Sequence, residues 1–292
     1  GQQFEYGYDN IGNRLIARLG GDAAGNNLRT ETYDMLILGS DPGLNQYSSR
    51  AQSPSIDVVG AAYANVTVTV TANGTPATAS RQGEYFYQAA AIGSASTPVS
   101  NQVSVITSAG GTATVGAVYR PPLTQNFAYD LDGNLVSDGL WNYTWDAENR
   151  IRVMSMSGLA AGAPRFQLEF AYDYLGRRIR KTTRARLDDT ASWVVRADLR
   201  YLYDGWNLLA ELDALASNAK IRSYVWGLDL SGTSQGAGGV GGALGVRLAA
   251  DPNTYLYAYD GNGNVTGLMD PALASLSWAA QYEYRSEEHT SE

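Results

Sequence analysis

The sequence has no cysteine and only one histidine, His289, among its 292 residues. The lack of cysteine excludes disulfides, a thiol nucleophile and cysteine-ligated zinc or iron–sulfur sites. A chain whose one histidine lies next to its terminus also lacks the usual general base near pH 7 and the commonest metal ligand. We therefore predict that the protein is not an enzyme and has no catalytic, cofactor-binding or metal-binding residue.

Basic residues are also scarce, because 21 Lys and Arg stand against 29 Asp and Glu, which gives a net charge of −8. An acidic balance argues against nucleic acid as the partner. There is no apolar run of 18 residues, so no membrane-spanning helix is predicted. The chain starts without Met or a signal-peptide apolar segment, so we expect it to be a piece of a longer protein, with any export signal upstream.

The final residues, 285–292, read RSEEHTSE. This string resembles the in-frame translation of a sequencing-library adapter. We expect it to be disordered and to lie outside the fold, because an adapter sequence has no evolved packing partner.

A short motif, an aromatic residue followed by Asp and a turn residue, recurs six times at irregular spacing. Irregular spacing argues against a fixed-period solenoid. The copies are Tyr8-Asp9-x-x-Gly12, Tyr129-Asp130-x-x-Gly133, Trp145-Asp146-x-x-Asn149, Tyr172-Asp173-x-x-Gly176, the shortened Tyr203-Asp204-Gly205 and Tyr259-Asp260-x-x-Gly263.

Each copy has the pattern of a β-hairpin. Large residues alternate before the Asp, as in Phe4, Tyr6 and Tyr8, which is typical of a strand with one buried face. Asp accepts backbone N–H groups at the start of a turn, and Gly tolerates positive φ. The recurring Tyr or Trp, Asp and Gly residues are therefore predicted to be structural. Calcium binding is the alternative role for the Asp residues, although no EF-hand loop is present.

This pattern resembles the YD-repeat (RHS) family, whose tandem hairpins are built on Y-D-x-x-G-N/R-L/V. Further matching strings are Tyr143-Thr144-Trp145-Asp146-Ala147-Glu148-Asn149-Arg150, Trp226-Gly227-Leu228-Asp229-Leu230-Ser231-Gly232 and Gln281-Tyr282-Glu283-Tyr284. The resemblance implies a long β-sheet that spirals into a hollow shell, as in bacterial RHS polymorphic toxins. It also implies a secreted or cell-surface protein that encloses a C-terminal effector. The family's downstream core elements do not appear in this sequence.

The segment 54–122 differs in composition, being rich in Val, Thr, Ala and Ser. Candidate strands at 56–59, 65–71, 84–88, 102–107 and 112–118 are separated by turn signals such as Asn73-Gly74. They predict an inserted, sandwich-like β module between hairpin regions at 1–53 and 123–284. The module is either an adhesion or glycan-binding unit, or a structural part of the shell.

Two further patterns are given structural interpretations. The run Gly236-Ala237-Gly238-Gly239-Val240-Gly241 formally satisfies a dinucleotide-binding motif, but no helix or β-α alternation accompanies it. We interpret it as a flexible loop. The basic stretch 177–181 is expected to be a solvated strand face rather than a nucleic-acid site.

We therefore predict an all-β fold, with the hairpins of 1–50 and 123–284 joined in one curved antiparallel sheet. The predicted function is the wall of a shell that encapsulates and helps deliver an effector, with the rest of its own polypeptide as partner. The alternative is an extracellular adhesin that binds carbohydrate through aromatic surfaces. Sheet-packed aromatic rows favour the first and an exposed aromatic platform favours the second.

Overall fold

The computed structural model describes residues 3–21, 28–38, 41–92, 96–156, 158–159, 163–188, 190–251, 253–271 and 277–282. These residues form 25 β-strands and one 3₁₀-helix, η1 (Ala214–Ala216), so the all-β prediction is confirmed. The adapter-like string 285–292 lies outside the described residues. Where the structure describes the chain, no helix has the length and apolarity that crossing a membrane requires.

In chain order the strands are β1 (Gln3–Tyr8), β2 (Arg14–Gly20), β3 (Leu28–Leu38), β4 (Asp41–Ala51), β5 (Ser55–Ala61), β6 (Val68–Ala72), β7 (Thr75–Thr78), β8 (Ser80–Gln82), β9 (Tyr85–Ala91), β10 (Val99–Thr107), β11 (Thr114–Arg120), β12 (Thr124–Asn126), β13 (Ala128–Tyr129), β14 (Leu135–Ser137), β15 (Trp141–Trp145), β16 (Ile151–Met156), β17 (Arg165–Tyr172), β18 (Arg178–Arg186), β19 (Val194–Asp204), β20 (Asn207–Asp213), β21 (Ala219–Trp226), β22 (Ala243–Leu248), β23 (Thr254–Tyr259), β24 (Val265–Asp270) and β25 (Ser277–Gln281). The chain divides into two compact units, 1–166 with 186–192, and 167–185 with 193–292.

The first unit begins with a five-stranded antiparallel sheet in the order β1-β2-β3-β4-β12. Its last strand comes from the far side of the 54–122 segment, where Thr124 pairs with Ala51 and Asn126 with Ser49. The next strands of this unit, β13 to β16, pair in sequence in a different sheet. The expectation of one sheet for all hairpins is therefore wrong. The Asp130 turn connects β13 to β14, which pair with each other, whereas β12 pairs with β4 and is the edge strand of the first sheet.

The segment between β4 and β12 forms two small sheets, with strand orders β11-β10-β6-β7 and β5-β9-β8. Strand β6 buries Val68, Val70 and Ala72 and leaves its two Thr side chains partly exposed, as the alternation predicts. Together with Ala79, Ala90 and Val103 these residues form a hydrophobic core. Strands β7 and β8 were not predicted, because neither Thr75-Pro76-Ala77-Thr78 nor Ser80-Arg81-Gln82 carries an apolar alternation.

An Asn-Gly turn joins β6 to β7. Asn73 and Gly74 have φ of 47° and 82°, the left-handed values of a two-residue hairpin turn. The side chain of Asn73 also donates to Asn101 Oδ1 over 2.6 Å, which fixes the turn against β10. The turn that the Asn73-Gly74 pair predicts is therefore present.

A polar cluster connects the hairpin sheet of the first unit to the 54–122 segment. Arg29 on β3 donates to the hydroxyl of Tyr87 over 2.8 Å and forms an ion pair with Asp57. Tyr87 in turn donates to Asp57 over 3.0 Å. Gly20 leaves room for this cluster, because a Cβ there would lie 2.5 Å from Arg29 Nη1 and 2.6 Å from the Tyr87 hydroxyl.

The second unit consists of successive antiparallel strands, from most of β17 to β25. Cross-strand partners share a face of the sheet, so the register assigns side chains to faces. Tyr224 is opposite Val246, which is opposite Tyr255, while Tyr201 is opposite Glu211 and Tyr257 is opposite Leu268. The tyrosine rows of this unit therefore share one face and are half-buried.

Candidate functional site

The recurring motif folds as a turn organised around its Asp carboxylate, which we call the box turn. In the first copy, Asp9 N–H donates to Asn13 O over 2.9 Å and Gly12 N–H donates to Asp9 O over 3.2 Å. Asp9 Oδ1 accepts the N–H groups of Ile11 and Asn13 at 3.0 and 2.8 Å. Asp9 Oδ2 accepts the side-chain amide of Asn13 at 2.8 Å. Both carboxylate oxygens are thus used within the turn.

The same arrangement recurs at Asp130, Asp146, Asp173 and Asp260. At two copies an Arg replaces the Asn, and the Arg150 and Arg177 Nε atoms donate to the carboxylate over 2.8 Å. The sequence motif includes Asn or Arg at this position, but no role was predicted for these residues from the sequence. The signal was present, because the fourth residue after Asp is always Asn or Arg, both of which can donate to a carboxylate.

The fourth position of the box turn requires a left-handed backbone. Gly12, Gly133, Gly176 and Gly263 have φ of 91°, 85°, 82° and 80°. Asn149 takes the same position in the Trp145 copy with φ of 56°. Asn is the non-Gly residue that adopts this region most readily, so the replacement keeps the turn.

Hydrogen bonding holds the box carboxylates in their charged form. The side chain and then the backbone N–H of Asn264 lower the pKa of Asp260. Burial opposes the shift at Asp9, Asp130, Asp146 and Asp173, but side-chain and backbone hydrogen bonds outweigh it and lower each pKa. In the described part of the chain, no three His, Cys, Asp or Glu residues are grouped so that they could hold a metal ion.

The shortened copy has a different turn. Asp204 pairs with Asn207 across a two-residue hairpin, and Gly205 has φ of 55°. The carbonyl of Asp204 accepts the side-chain amide of Gln235 over 3.2 Å. Its Asp therefore does not organise a box turn as the five longer copies do.

A further box turn lies at Asp229, where no aromatic residue precedes the Asp. Asp229 N–H donates to Thr233 O over 2.7 Å, and Gly232 N–H donates to Asp229 O over 2.9 Å. Oδ1 accepts the hydroxyl and the N–H of Ser231, and Oδ2 accepts the N–H groups of Ala237 and Gly239. The hydroxyl of Ser231, followed by these backbone donors, lowers the pKa of Asp229 to about 2. The glycine-rich run thus wraps around a carboxylate of the chain itself.

The aromatic residues of the motif copies, together with Trp226 ahead of the Asp229 turn, are called the box aromatics, and six of them stand at a β-bulge. The strand register shifts immediately before Tyr8, Tyr129, Trp145, Tyr203 and Tyr259, and also before Trp226. A bulge adds one residue to one strand and increases the local twist. The repeat therefore introduces curvature at a fixed place in each hairpin.

The polar tips of several box aromatics reach the neighbouring hairpin. Trp145 Nε1 donates to Leu135 O over 2.8 Å, and Trp226 Nε1 donates to Leu208 O over 2.7 Å. The hydroxyl of Tyr203 donates to Arg178 O over 2.9 Å. Each carbonyl belongs to the residue that directly follows the Asn or Arg closing the neighbouring turn. The box aromatic thus connects its own hairpin to the next turn along the sheet.

Arginine side chains cover some of these rings. The Arg14 guanidinium lies 4.4 Å from the centre of the Tyr6 ring, and Arg177 lies 5.2 Å from that of Tyr203. Arg177 also donates to the carbonyl of Gly205. Tyr203 is therefore held in the sheet by a bulge, a hydrogen bond and a cation, whereas Tyr8, the aromatic residue of the first copy, is 52% exposed.

No protein-family model matches the sequence. The chain is 27% identical over 160 residues to the tRNA3(Ser)-specific nuclease WapA of Bacillus spizizenii. It is 25% identical to the tRNA(Glu)-specific nuclease WapA of Bacillus subtilis subsp. natto and 24% identical to the tRNA nuclease WapA of Bacillus subtilis strain 168. Each match covers 55% of this chain and 6% of the relative's length. A solved structure described as TcdB2-TccC3-TEV aligns with 93% of this chain and 14% of that chain, at 14% identity and a TM-score of 0.30.

These relatives overturn the expectation that the protein is not an enzyme, because all three are named as tRNA nucleases. The expectation rested on the absence of cysteine and the presence of one histidine among the 292 residues of this sequence. Such an argument addresses the side chains of this stretch alone, and the matched region is a small part of much longer proteins. It was therefore wrong to extend it to the protein as a whole.

Proposed function

We propose that this chain belongs to a longer, secreted or cell-surface polypeptide that cleaves tRNA. Within that polypeptide, the hairpins form the wall that encloses and helps deliver the C-terminal effector. The similarity to three tRNA nucleases over 160 residues supports the nuclease part of the proposal. The resemblance of the box motif to YD repeats supports the wall.

The observation that carries the wall role is the connection between successive hairpins. Box aromatics bind the carbonyl that follows the neighbouring turn, as Trp145 does with Leu135 and Trp226 with Leu208. A single hairpin is marginally stable in water, so hairpins need neighbours to persist. A repeated contact of this kind suits a continuous wall. The indole N–H groups that form it already have a partner in the sheet and are not free to bind an external ligand.

The test uses the complete parent polypeptide, purified with its effector region intact. We expect it to cleave labelled tRNA, and we expect the effector region to resist trypsin as long as the wall is folded. The Trp226→Ala variant should expose the effector region to trypsin, because it removes the ring and its hydrogen bond to Leu208. The matched control is Tyr174→Ala, a ring that is 90% exposed.

Two results would count against the proposal. Absence of tRNA cleavage by the parent polypeptide would remove its nuclease part. The proposed enclosing role of the wall would be contradicted if trypsin cleaved the effector region equally fast in the parent, in Trp226→Ala and in the isolated effector.

A second candidate function is carbohydrate binding by the 54–122 segment, favoured by one exposed ring beside a cleft. Tyr63 is 82% exposed and borders a cleft of about 670 Å³ that is also lined by Glu84, Val66 and small residues. A sugar face can stack on such a ring while its hydroxyls donate to a carboxylate. Binding to a glycan array that is lost in Tyr63→Ala and kept in Tyr174→Ala would support this candidate. Binding unchanged by Tyr63→Ala would exclude this site.

A further inference from the structure

The face of the second unit that lies opposite the tyrosine rows carries cations in register. Arg180 is opposite Arg200, Arg200 is opposite Leu212, and Leu212 is opposite Lys220. The adjoining row runs through Leu202, Ala210, Ser223 and Arg247. Four cations thus lie on one face of strands β18 to β22. We call this surface the cationic face.

Two carboxylates act on Arg180 at the edge of the cationic face. Asp198 is 7% exposed and accepts two hydrogen bonds from Arg180, at 2.7 and 2.5 Å. These bonds, and the charge of Glu169, raise the pKa of Arg180. Arg200, Lys220 and Arg247 form no ion pair with any residue that the structure describes, and all three are exposed. Arg180 and Arg200 stand directly opposite each other, and Asp198 offsets this like-charge arrangement, because the hydrogen bond from Arg180 and the charges of both cations lower the pKa of its carboxyl group.

Exposed aliphatic side chains lie between and beside these cations. Leu202 and Val225 are each 50% exposed, and Leu256 is 37% exposed. The register connects Val225 through Gly245 to Leu256, Met269 and Trp278, so the apolar row crosses five strands. A contiguous exposed apolar patch on a folded protein is typical of an interaction site.

The composition of this face determines the kind of partner. The cations fit carboxylates, and the Leu and Val side chains between them fit other aliphatic groups. Single-stranded nucleic acid needs rings on which bases stack. The tyrosine rows of the described strands lie on the other face, and Trp278 is the ring that the register places in the apolar row. The protein as a whole has a net charge of −8, so attraction of a carboxylate partner is confined to this local patch of cations and acts against the field of the rest of the surface.

We propose that the cationic face is the docking surface for an acidic polypeptide segment that carries aliphatic side chains. Charge complementarity orients the segment, and burial of Leu202, Val225 and Leu256 supplies the area-dependent part of the affinity. This surface is separate from the box turns and box aromatics.

The experiment measures fluorescence anisotropy of a labelled peptide of alternating Glu and Leu, titrated with the 292-residue chain. We expect saturable binding that weakens as salt is raised. The triple variant Arg200→Gln, Lys220→Gln and Arg247→Gln should weaken binding about tenfold or more. Leu202→Ser with Val225→Ser should also weaken it severalfold, because charge alone does not complete the site.

Controls separate the proposal from its rivals. Arg152→Gln removes an exposed cation of the first unit and should leave binding unchanged. Circular dichroism spectra should match among all variants, because every substituted position is exposed. The proposal is overturned if the peptide does not bind, if either variant set binds as well as the parent chain, or if tRNA binds more tightly and displaces the peptide.

Discussion

At the residue scale, the aspartate of the box turn uses both carboxylate oxygens inside a single turn. Asp9 illustrates the pattern, with two backbone donors on Oδ1 and a side-chain donor on Oδ2. Such a carboxylate is stabilised in its charged form, and hydrogen bonds within the turn take up three of its roughly four acceptor positions. This geometry explains why the same residue recurs in every long copy, and it favours the turn role over calcium binding.

The first prediction concerns acid stability at Asp229. Its folded pKa is about 2, below the value near 3.9 expected for an unfolded chain. The unfolded state therefore binds the proton more readily, so the stabilisation is complete above about pH 4 and is lost as the pH falls toward 2. The free energy of unfolding, measured with urea between pH 5 and pH 2, should fall less steeply with decreasing pH in Asp229→Asn than in the parent chain. Parallel pH curves for parent and variant would contradict this account.

The second prediction concerns the buried ring that precedes a box turn. Phe170 is 9% exposed, whereas Tyr174, inside the adjacent turn, is 90% exposed. Phe170→Ala should lower the free energy of unfolding by about 3–5 kcal/mol, the usual cost of deleting a buried aromatic ring. Tyr174→Ala should change it by less than about 0.5 kcal/mol. Equal losses in chemical denaturation would show that the ring rows are not packed.

At the scale of the element, a box turn and the bulge before it form one hairpin unit. The turn could be predicted from the sequence because Asp and Gly act within five consecutive residues. The bulges and the contacts of Trp145 and Trp226 with neighbouring carbonyls could not, since they depend on which strand lies alongside. The Asp229 turn was missed because Leu228 precedes it in place of an aromatic residue.

The third prediction uses three glycines of box turns. Gly261 has ordinary φ and free space, and Gly176 has φ of 82° and free space, whereas Gly263 has φ of 80° and a Cβ added to it would lie 2.7 Å from Val240 Cγ1. Substitution by Ala should be nearly neutral at Gly261 and should cost about 1–2 kcal/mol at Gly176 because of its left-handed backbone. The cost should be largest at Gly263, where steric overlap adds to the backbone strain. Thermal unfolding that ranks the three variants differently would contradict this interpretation of the turn.

At the scale of the whole molecule, the sequence predicted the all-β class and five of the seven strands of the 54–122 segment, but not the number of sheets. Pairing of β12 with β4 depends on the chain returning after more than 60 residues, which no local pattern reports. The cluster of Arg29, Tyr87 and Asp57 was also hidden, because its members are separated by up to 58 positions. Long-range contacts of this kind are set by packing rather than by periodicity.

The fourth prediction concerns the edge strand β11. It pairs with β10, its other edge has no strand partner among the described residues, and Val115 on it is 65% exposed. The first four residues of β11 are exposed and uncharged, and an edge of this kind favours pairing between copies. The isolated chain should therefore sediment partly as oligomers, and Val115→Lys should shift it toward monomer. Tyr63→Lys, a charge added at an exposed loop, is the matched control, and an equal shift in both variants would argue against edge pairing.

The central claim is that box aromatics connect successive hairpins into one scaffold, and amide hydrogen exchange of Trp226→Phe tests it most directly. This change keeps a ring at β21 but removes the indole donor to Leu208 O. We predict faster exchange at 204–208 in the neighbouring hairpin as well as around position 226, with no change at the distant Asp9 turn. Faster exchange confined to β21 itself would contradict the claim.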